Sequence, residues 1–404
     1  MKKKRKLRAD RLLILIVAAA LIIGIPVKVI ASLAGRGKEP APQQTAETAE
    51  TVPAESAEPV VETYQAKLFM AGDALIHGAV YYCAQQPNGT YDFHEIMKNM
   101  KTLAEDYDLR YYNQETILGG TEMGLSSYPR FNTPQEFGDT MVDYGFNLVS
   151  TANNHSLDMD EAGILRSTAY WKSKESAGVH MTGTFDSAEA QQALPVYEVN
   201  GITYTFLAYT YGCNGLEPPA GKEYLVNLYP GHEAEMLEKV RQAKEVSDVV
   251  IICMHWGTEY SMDVNEEQLS LAQQLSDAGA DIIIGCHPHV IEPIQWINDG
   301  KTIVYYSLGN MVSAQDQLPR IIGMIGGVTI TKTVTDGVSE ISLSDARADL
   351  IYTKYDIIGG HFYNFRVYPF SDLTEELLPD YEAIYNEFSS KITELDPTIL
   401  VGGF

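Results

Sequence analysis

The sequence predicts an α/β fold, more narrowly a layered α/β sandwich with mixed sheets. Three observations lead there: apolar runs short enough for strands recur between Ala66 and Ser307, amphipathic stretches separate several of them, and a hairpin signal follows. Strands alternating with helices build parallel sheets, and a hairpin adds antiparallel pairing, so the sheets should be mixed. A chain of 404 residues with 45% hydrophobic content can bury a full core.

The expected strands are Ala66 to Ala71, Leu109 to Asn113, Asn147 to Thr151, Thr203 to Tyr209, Val249 to Met254, Asp281 to Gly285 and Thr302 to Ser307. The clearest helix runs from Asn265 to Ala278. It has Leu269, Ala272 and Leu275 at helical spacing and Gly279 as its stop. Gly327 to Lys332 and Val338 to Leu343 flank Thr335-Asp336-Gly337, with Asp-Gly in the turn of a hairpin. Residues 65–370 read as one domain, and 371–404 as its helical extension, interrupted near Pro379.

The first residues read differently. Residues 1–11 are a basic tail that includes Lys2, Lys3, Lys4, Arg5, Lys6, Arg8 and Arg11, and 12–34 are apolar apart from Lys28. A basic flank before an apolar run keeps that end in the cytoplasm and sends the rest outward. The run is short for a membrane helix, which needs roughly 20 residues, but a lysine near its end can snorkel. The expectation is a single-pass cell-membrane anchor with the domain on the extracellular side. The alternative is secretion after cleavage at Ser32-Leu33-Ala34. Residues 35–64 have the composition of a disordered spacer.

The net charge is −25, and residues 1–38 hold ten of the 29 basic side chains but one of the 54 acidic ones. The remaining surface should therefore repel nucleic acid, which is excluded as a partner. Cys253 and Cys286 lie in apolar runs, and none of Cys83, Cys213, Cys253 and Cys286 has CxxC spacing, so neither a disulfide framework nor a thiolate zinc site is expected.

Chemistry gathers where the apolar runs end. In order come Gly72-Asp73 with His77, Asn113-Gln114-Glu115, Asn153-Asn154-His155, His255-Trp256-Gly257 and His287-Pro288-His289. Five of the nine histidines fall at these ends, where α/β folds collect their ligand sites. Taken singly, each has a plain explanation, since a Gly-Asp can be a turn and His255 a satisfied core residue. Together they require five coincidences of position. Carboxylates, amides and imidazoles suit Mn, Fe or Zn rather than an all-oxygen cage. The donors outnumber what one tetrahedral ion takes, and two ions about 3.5–4 Å apart would use them all.

The stretches GDALIHG, YPRFNTP, GFNLVSTANNHSLDMDEAGI, MHWGTEY, GCHPHVIEPIQ and YYSLGNMV resemble, in order, the motif series of the CapA-type bacterial capsule-synthesis family. These are the poly-γ-glutamate biosynthesis proteins, related to calcineurin-like metallophosphoesterases. The resemblance covers roughly residues 65–320. It implies a dinuclear centre of divalent transition ions with Asp73 and His77 on the first ion and Glu115 bridging. Asn154, His255 and His287 would hold the second ion, and His289 would return to the first. It further implies His155 as general acid, held by Asp158. Arg130 is a candidate for an anionic substrate group. The sequence departs from the wider phosphoesterase pattern at the Asp73–His77 spacing, at Glu115 in place of Asp, and at Asn153 in place of Gly.

The implied partners are the membrane, other capsule-synthesis membrane subunits and an anionic polymer. Three functional readings stay open: a capsule-assembly hydrolase, a secreted metallophosphatase unrelated to capsule, and a non-catalytic assembly or export subunit.

Overall fold

The computed structural model describes residues 60–404. Its strands, in chain order, are β1 (Val61–Ala74), β2 (Leu109–Gln114), β3 (Leu148–Ser150), β4 (His180–Thr182), β5 (Tyr197–Val199), β6 (Ile202–Thr210), β7 (Val249–His255) and β8 (Ile282–Cys286). They continue with β9 (Ile294–Ile297), β10 (Thr302–Tyr305), β11 (Asn310–Val312), β12 (Ile322–Thr335), β13 (Val338–Ile358), β14 (His361–Pro369) and β15 (Leu400–Val401).

Two mixed sheets result. The first has the order β14-β13-β12-β1-β2-β3-β4, with β11 also pairing β1 and β15 pairing β13; the second is β5-β6-β7-β8-β10-β9. In the first, β1 to β4 run parallel and β12 to β14 add antiparallel strands through the predicted hairpin. In the second, β6, β7, β8 and β10 are parallel, and β5 and β9 are antiparallel edges.

The apolar runs are continuous because both faces of the inner strands are covered. Along β1, Leu68 and Met70 face the second sheet's Ile251, Cys253 and Ile284, while Phe69 and Ala71 pack under helices carrying Met97, Met100, Phe137 and Met141. Val250, Ile252 and Met254 of β7 turn the other way, onto Val240, Leu271 and Leu275. The order helix, sheet, sheet, helix is the predicted sandwich. Truncating one of these buried Leu, Ile or Met side chains to Ala costs roughly 2–5 kcal/mol.

Three expectations are corrected. The strand begins at Val61, so Val61 to Tyr64, read as spacer, pair with Thr335 to Lys332 of β12; a partner so distant in sequence leaves no mark on local composition. In the helix Glu266–Ala278, Leu269 is exposed, and Gln268 and Leu271 are buried. Gln268 is drawn inward because its side chain closes a capping box with Asn265 and bonds Glu292 Oε2 at 2.6 Å. The 371–404 stretch holds one helix, Tyr381–Ile392, and then strand β15, rather than helix alone.

The anchor or signal segment at 12–34, the basic tail and the spacer up to residue 59 lie outside the described residues. Among the described residues no helix is long and apolar enough to cross a membrane.

Candidate metal centre

Two close backbone approaches place the site at the carboxyl ends of the parallel strands. A Cβ on Gly72 would lie 1.9 Å from Gly309 O, and one on Gly285 would lie 1.8 Å from Tyr306 O. Only glycine lets β1 meet the chain entering β11, and β8 meet the end of β10. Asp73, next to Gly72, then spans the seam between the sheets. Its Oδ1 accepts Asn113 Nδ2 at 2.8 Å from the first sheet, and its Oδ2 accepts the His287 amide at 3.1 Å from the second.

Asp73, Glu115 and His289 form a buried group whose ligand atoms all lie within 4.8 Å of one another, a set that could hold a metal ion. His289 Nδ1 stands 3.4 Å from Asp73 Oδ2, and its Nε2 3.6 Å from Glu115 Oε1. On the far side of Glu115, His255 Nε2 lies 3.7 Å from Oε1 and 3.0 Å from Asn154 Oδ1. The His287 ring lies 4.8 Å from that of His255. Glu115 is thus flanked by both halves. Neither of its oxygens has a hydrogen-bond partner among the described residues, nor does His287 Nδ1. Buried orphans of this kind are costly, and a cation between them is what the donor chemistry fits.

The protonation states point the same way. Burial pushes His255 well below the usual imidazole range, His287 down to about 3 and His77 down to about 4, so these rings are neutral and offer lone pairs. Burial also opposes charge on His289, but the Glu115 and Asp73 carboxylates outweigh it and hold the ring up to about 9. Burial raises Glu115 well above the carboxylate range, with His289 opposing and Asp73 adding to the rise. The two shifts describe one proton retained by the Glu115–His289 pair, which an entering cation would displace. The backbone at His287 (φ 106°) and His289 (φ 59°) is left-handed, a strain of order 1–3 kcal/mol per residue at the position where the rings are aimed.

The corner after β3 presents a different assembly. His155 Nδ1 bonds Asp158 Oδ2 at 2.7 Å, and Phe131 packs edge-on to the imidazole at 4.7 Å. Asp158 Oδ2 also accepts the Phe131 amide. Asn153 locks the corner, giving Nδ2 to Gln114 O and taking the His155 amide on Oδ1. Arg130 clamps the same loop through Nε to Asp158 O and Nη2 to Asp160. His77 stands apart from the close carboxylate–imidazole group: its Nδ1 lies 3.0 Å from Leu75 O, and its ring meets Phe131.

Sequence reasoning missed the amides behind the ligands. Asn113 bonds Asp73, accepts Ser150 Oγ at 2.9 Å and reaches to 3.5 Å from His255 Nδ1. Asn310 Oδ1 lies 3.0 Å from His289 Nδ1. Asn310 lies in the YYSLGNMV stretch and Asn113 at the Asn113-Gln114-Glu115 strand end, and their signal is an amide bordering an apolar run.

A family model described as "Bacterial capsule synthesis protein PGA_cap" matches residues 67–315, which contain every residue of this site. The "PGA biosynthesis protein CapA" of Bacillus subtilis (strain 168) is 34% identical over 184 residues, 45% of this chain and 47% of that protein. The "Capsule biosynthesis protein CapA" of Bacillus anthracis is 25% identical over 261 residues, 63% and 61% of the respective chains. The chain thus spans about half to three fifths of the length of these curated relatives. Among solved structures, a phosphatase of Mycoplasma pneumoniae superposes with TM-score 0.39 at 14% identity, over 69% of this chain and 95% of that one. On the family match, which covers more than half of its residues, the chain belongs to the bacterial capsule synthesis PGA_cap family.

Proposed function

We propose that this protein is a membrane-anchored, extracellular component of capsule or poly-γ-glutamate biosynthesis, and that its strand-end cluster is a dinuclear metal site of metallophosphoesterase type. It would hydrolyse a phosphoester or an amide bond of an anionic polymer. The observation that carries the reading is the Glu115 carboxylate, fully buried, without a hydrogen bond on either oxygen, and flanked by His289 on one side and His255 on the other.

Asp73, His289 and Glu115 would hold one divalent ion, with His77, whose ring stands apart from them, as a further candidate ligand. Glu115, Asn154, His255 and His287 would hold the other. Two such ions, of Mn, Fe or Zn, supply Lewis acidity toward a phosphoryl or carbonyl oxygen and activate water. The chain's own residues do the rest. Asp158 fixes His155 with Nδ1–H donating, which leaves Nε2 to deliver a proton to the leaving atom and stabilises the ring while it is charged. Phe131 restricts the ring's rotation from its edge. Arg130 keeps Nη1 for an anionic group while its other nitrogens hold the loop.

Elemental analysis of the purified protein beside Glu115→Gln and His155→Ala tests the reading. About two ions per chain are expected in the wild type and in His155→Ala, with a loss in Glu115→Gln. Turnover in His155→Ala should fall by a factor of about 10²–10⁴. A wild-type chain that takes up no Mn, Fe or Zn on reconstitution would sink the hydrolase reading and favour a non-catalytic assembly subunit.

A further inference from the structure

Arg320 is the odd arginine of this molecule. Arg110 and Arg347 bond backbone carbonyls, and Arg130, Arg166, Arg241 and Arg366 pair with carboxylates. Among the described residues, the Arg320 guanidinium has neither kind of partner, in a chain of net charge −25. It lies instead over the Tyr260 ring, its central carbon 3.5 Å from the centroid. That contact satisfies the face of the guanidinium and leaves its in-plane N–H donors free.

The platform is built for this placement. Tyr260 is 43% exposed yet has a left-handed backbone, φ 66°, a conformation costly for a bulky residue. A half-exposed ring gains little burial to offset that strain. The residue is held there by its amide bonding Pro288 O at 2.8 Å, and its ring lies 6.1 Å from that of His289. A second tie reaches the same histidine, because Arg320 O accepts Asn310 Nδ2 at 2.8 Å and Asn310 Oδ1 meets His289 Nδ1. The arginine is therefore fixed to the metal cluster from its backbone and from its side chain.

The geometry points to Arg320, stacked on Tyr260, as an oxyanion-binding subsite beside the metal cluster, engaging a carboxylate or phosphate of the substrate through its guanidinium fork. This rests on the reading of the cluster as a catalytic metal site. Glu259, next to the platform, is exposed and so is screened by solvent.

The test is equilibrium binding of two probes, inorganic phosphate and glutarate, to the full chain, before and after removal of metal by a chelator, for wild type, Arg320→Gln and Arg320→Lys. Arg320→Gln should weaken at least one probe about tenfold or more. Arg320→Lys, which keeps the charge and loses the fork, should weaken it less. The probe that responds identifies the oxyanion, phosphate or carboxylate. Metal content and thermal midpoint of both variants should match wild type. Arg320→Gln binding both probes as wild type does, or a wild type that binds neither, overturns the subsite. Arg320-dependent binding in a chain that takes up no metal keeps the subsite and sinks the catalytic reading instead.

Discussion

The two sheets contribute unlike chemistry to one seam. The first supplies the acids and the amide, Asp73, Glu115 and Asn154, from the ends of β1, β2 and β3; the second supplies imidazoles, His255, His287 and His289, from the ends of β7 and β8. The acids repel each other when buried together, and the neutral rings of His255 and His287 have nothing to bind alone. The centre therefore exists only when the sandwich closes. A cation there would tie the halves together as well as serve chemistry.

Variants on either side test that division. The largest effect is expected for Glu115→Gln, which removes the group flanked by both halves. Metal affinity should fall by more than about a hundredfold, because outer-shell changes alone cost 10–100-fold. His287→Ala should lower the stoichiometry from the other side. A chain that keeps two ions after either change would show that one sheet suffices. Next come the supporting amides: Asn113→Ala and Asn310→Ala should each cost about 10–100-fold in affinity, and about 1–3 kcal/mol in the metal-free chain because buried partners are left unpaired.

A third test concerns the second sheet's own buried acid. Burial pushes Glu292 up to about 8, with the Gln268 bond and Lys391 opposing. A folded value above the unfolded one means that its contribution is intact at acid pH. It is lost as pH rises from about 4.5 through about 8. Wild type should lose a few kcal/mol over that window relative to Glu292→Gln, as read by denaturant unfolding across pH. Parallel curves would show that Glu292 does not titrate there. The smallest effect is expected far from the seam, where Gly337 turns the β12–β13 hairpin at φ 85° with nothing within 4 Å of an added Cβ. Gly337→Ala should cost about 1 kcal/mol and leave metal content untouched.

Much of this was legible in the sequence for a physical reason. Strands buried on both faces leave uninterrupted apolar runs, so their ends, and the polar residues crowded there, stand out without a structure. What stayed hidden depends on partners distant in the chain. Val61 to Tyr64 look like spacer until β12 is beside them. Leu269 occupies the helical spacing of a core residue, yet Gln268 goes inside because Glu292, on another element, receives it. Asn310 reads as one polar residue among apolar ones until the fold sets it against His289. Arg320 carries no local signal, since its place is fixed by the Tyr260 ring and by Asn310.

The length of β1 has a mechanical consequence. Its register with β12 runs without a break from Val61 to Ala71, and Asp73 follows two residues on. A pull on the chain entering at Val60 would load that ladder along its length, in shear, with many rungs sharing the force. The strand's carboxyl end, where Asp73 sits, would be the last part to feel it. Whatever the preceding residues are tied to, tension from that side is dissipated before it reaches the seam.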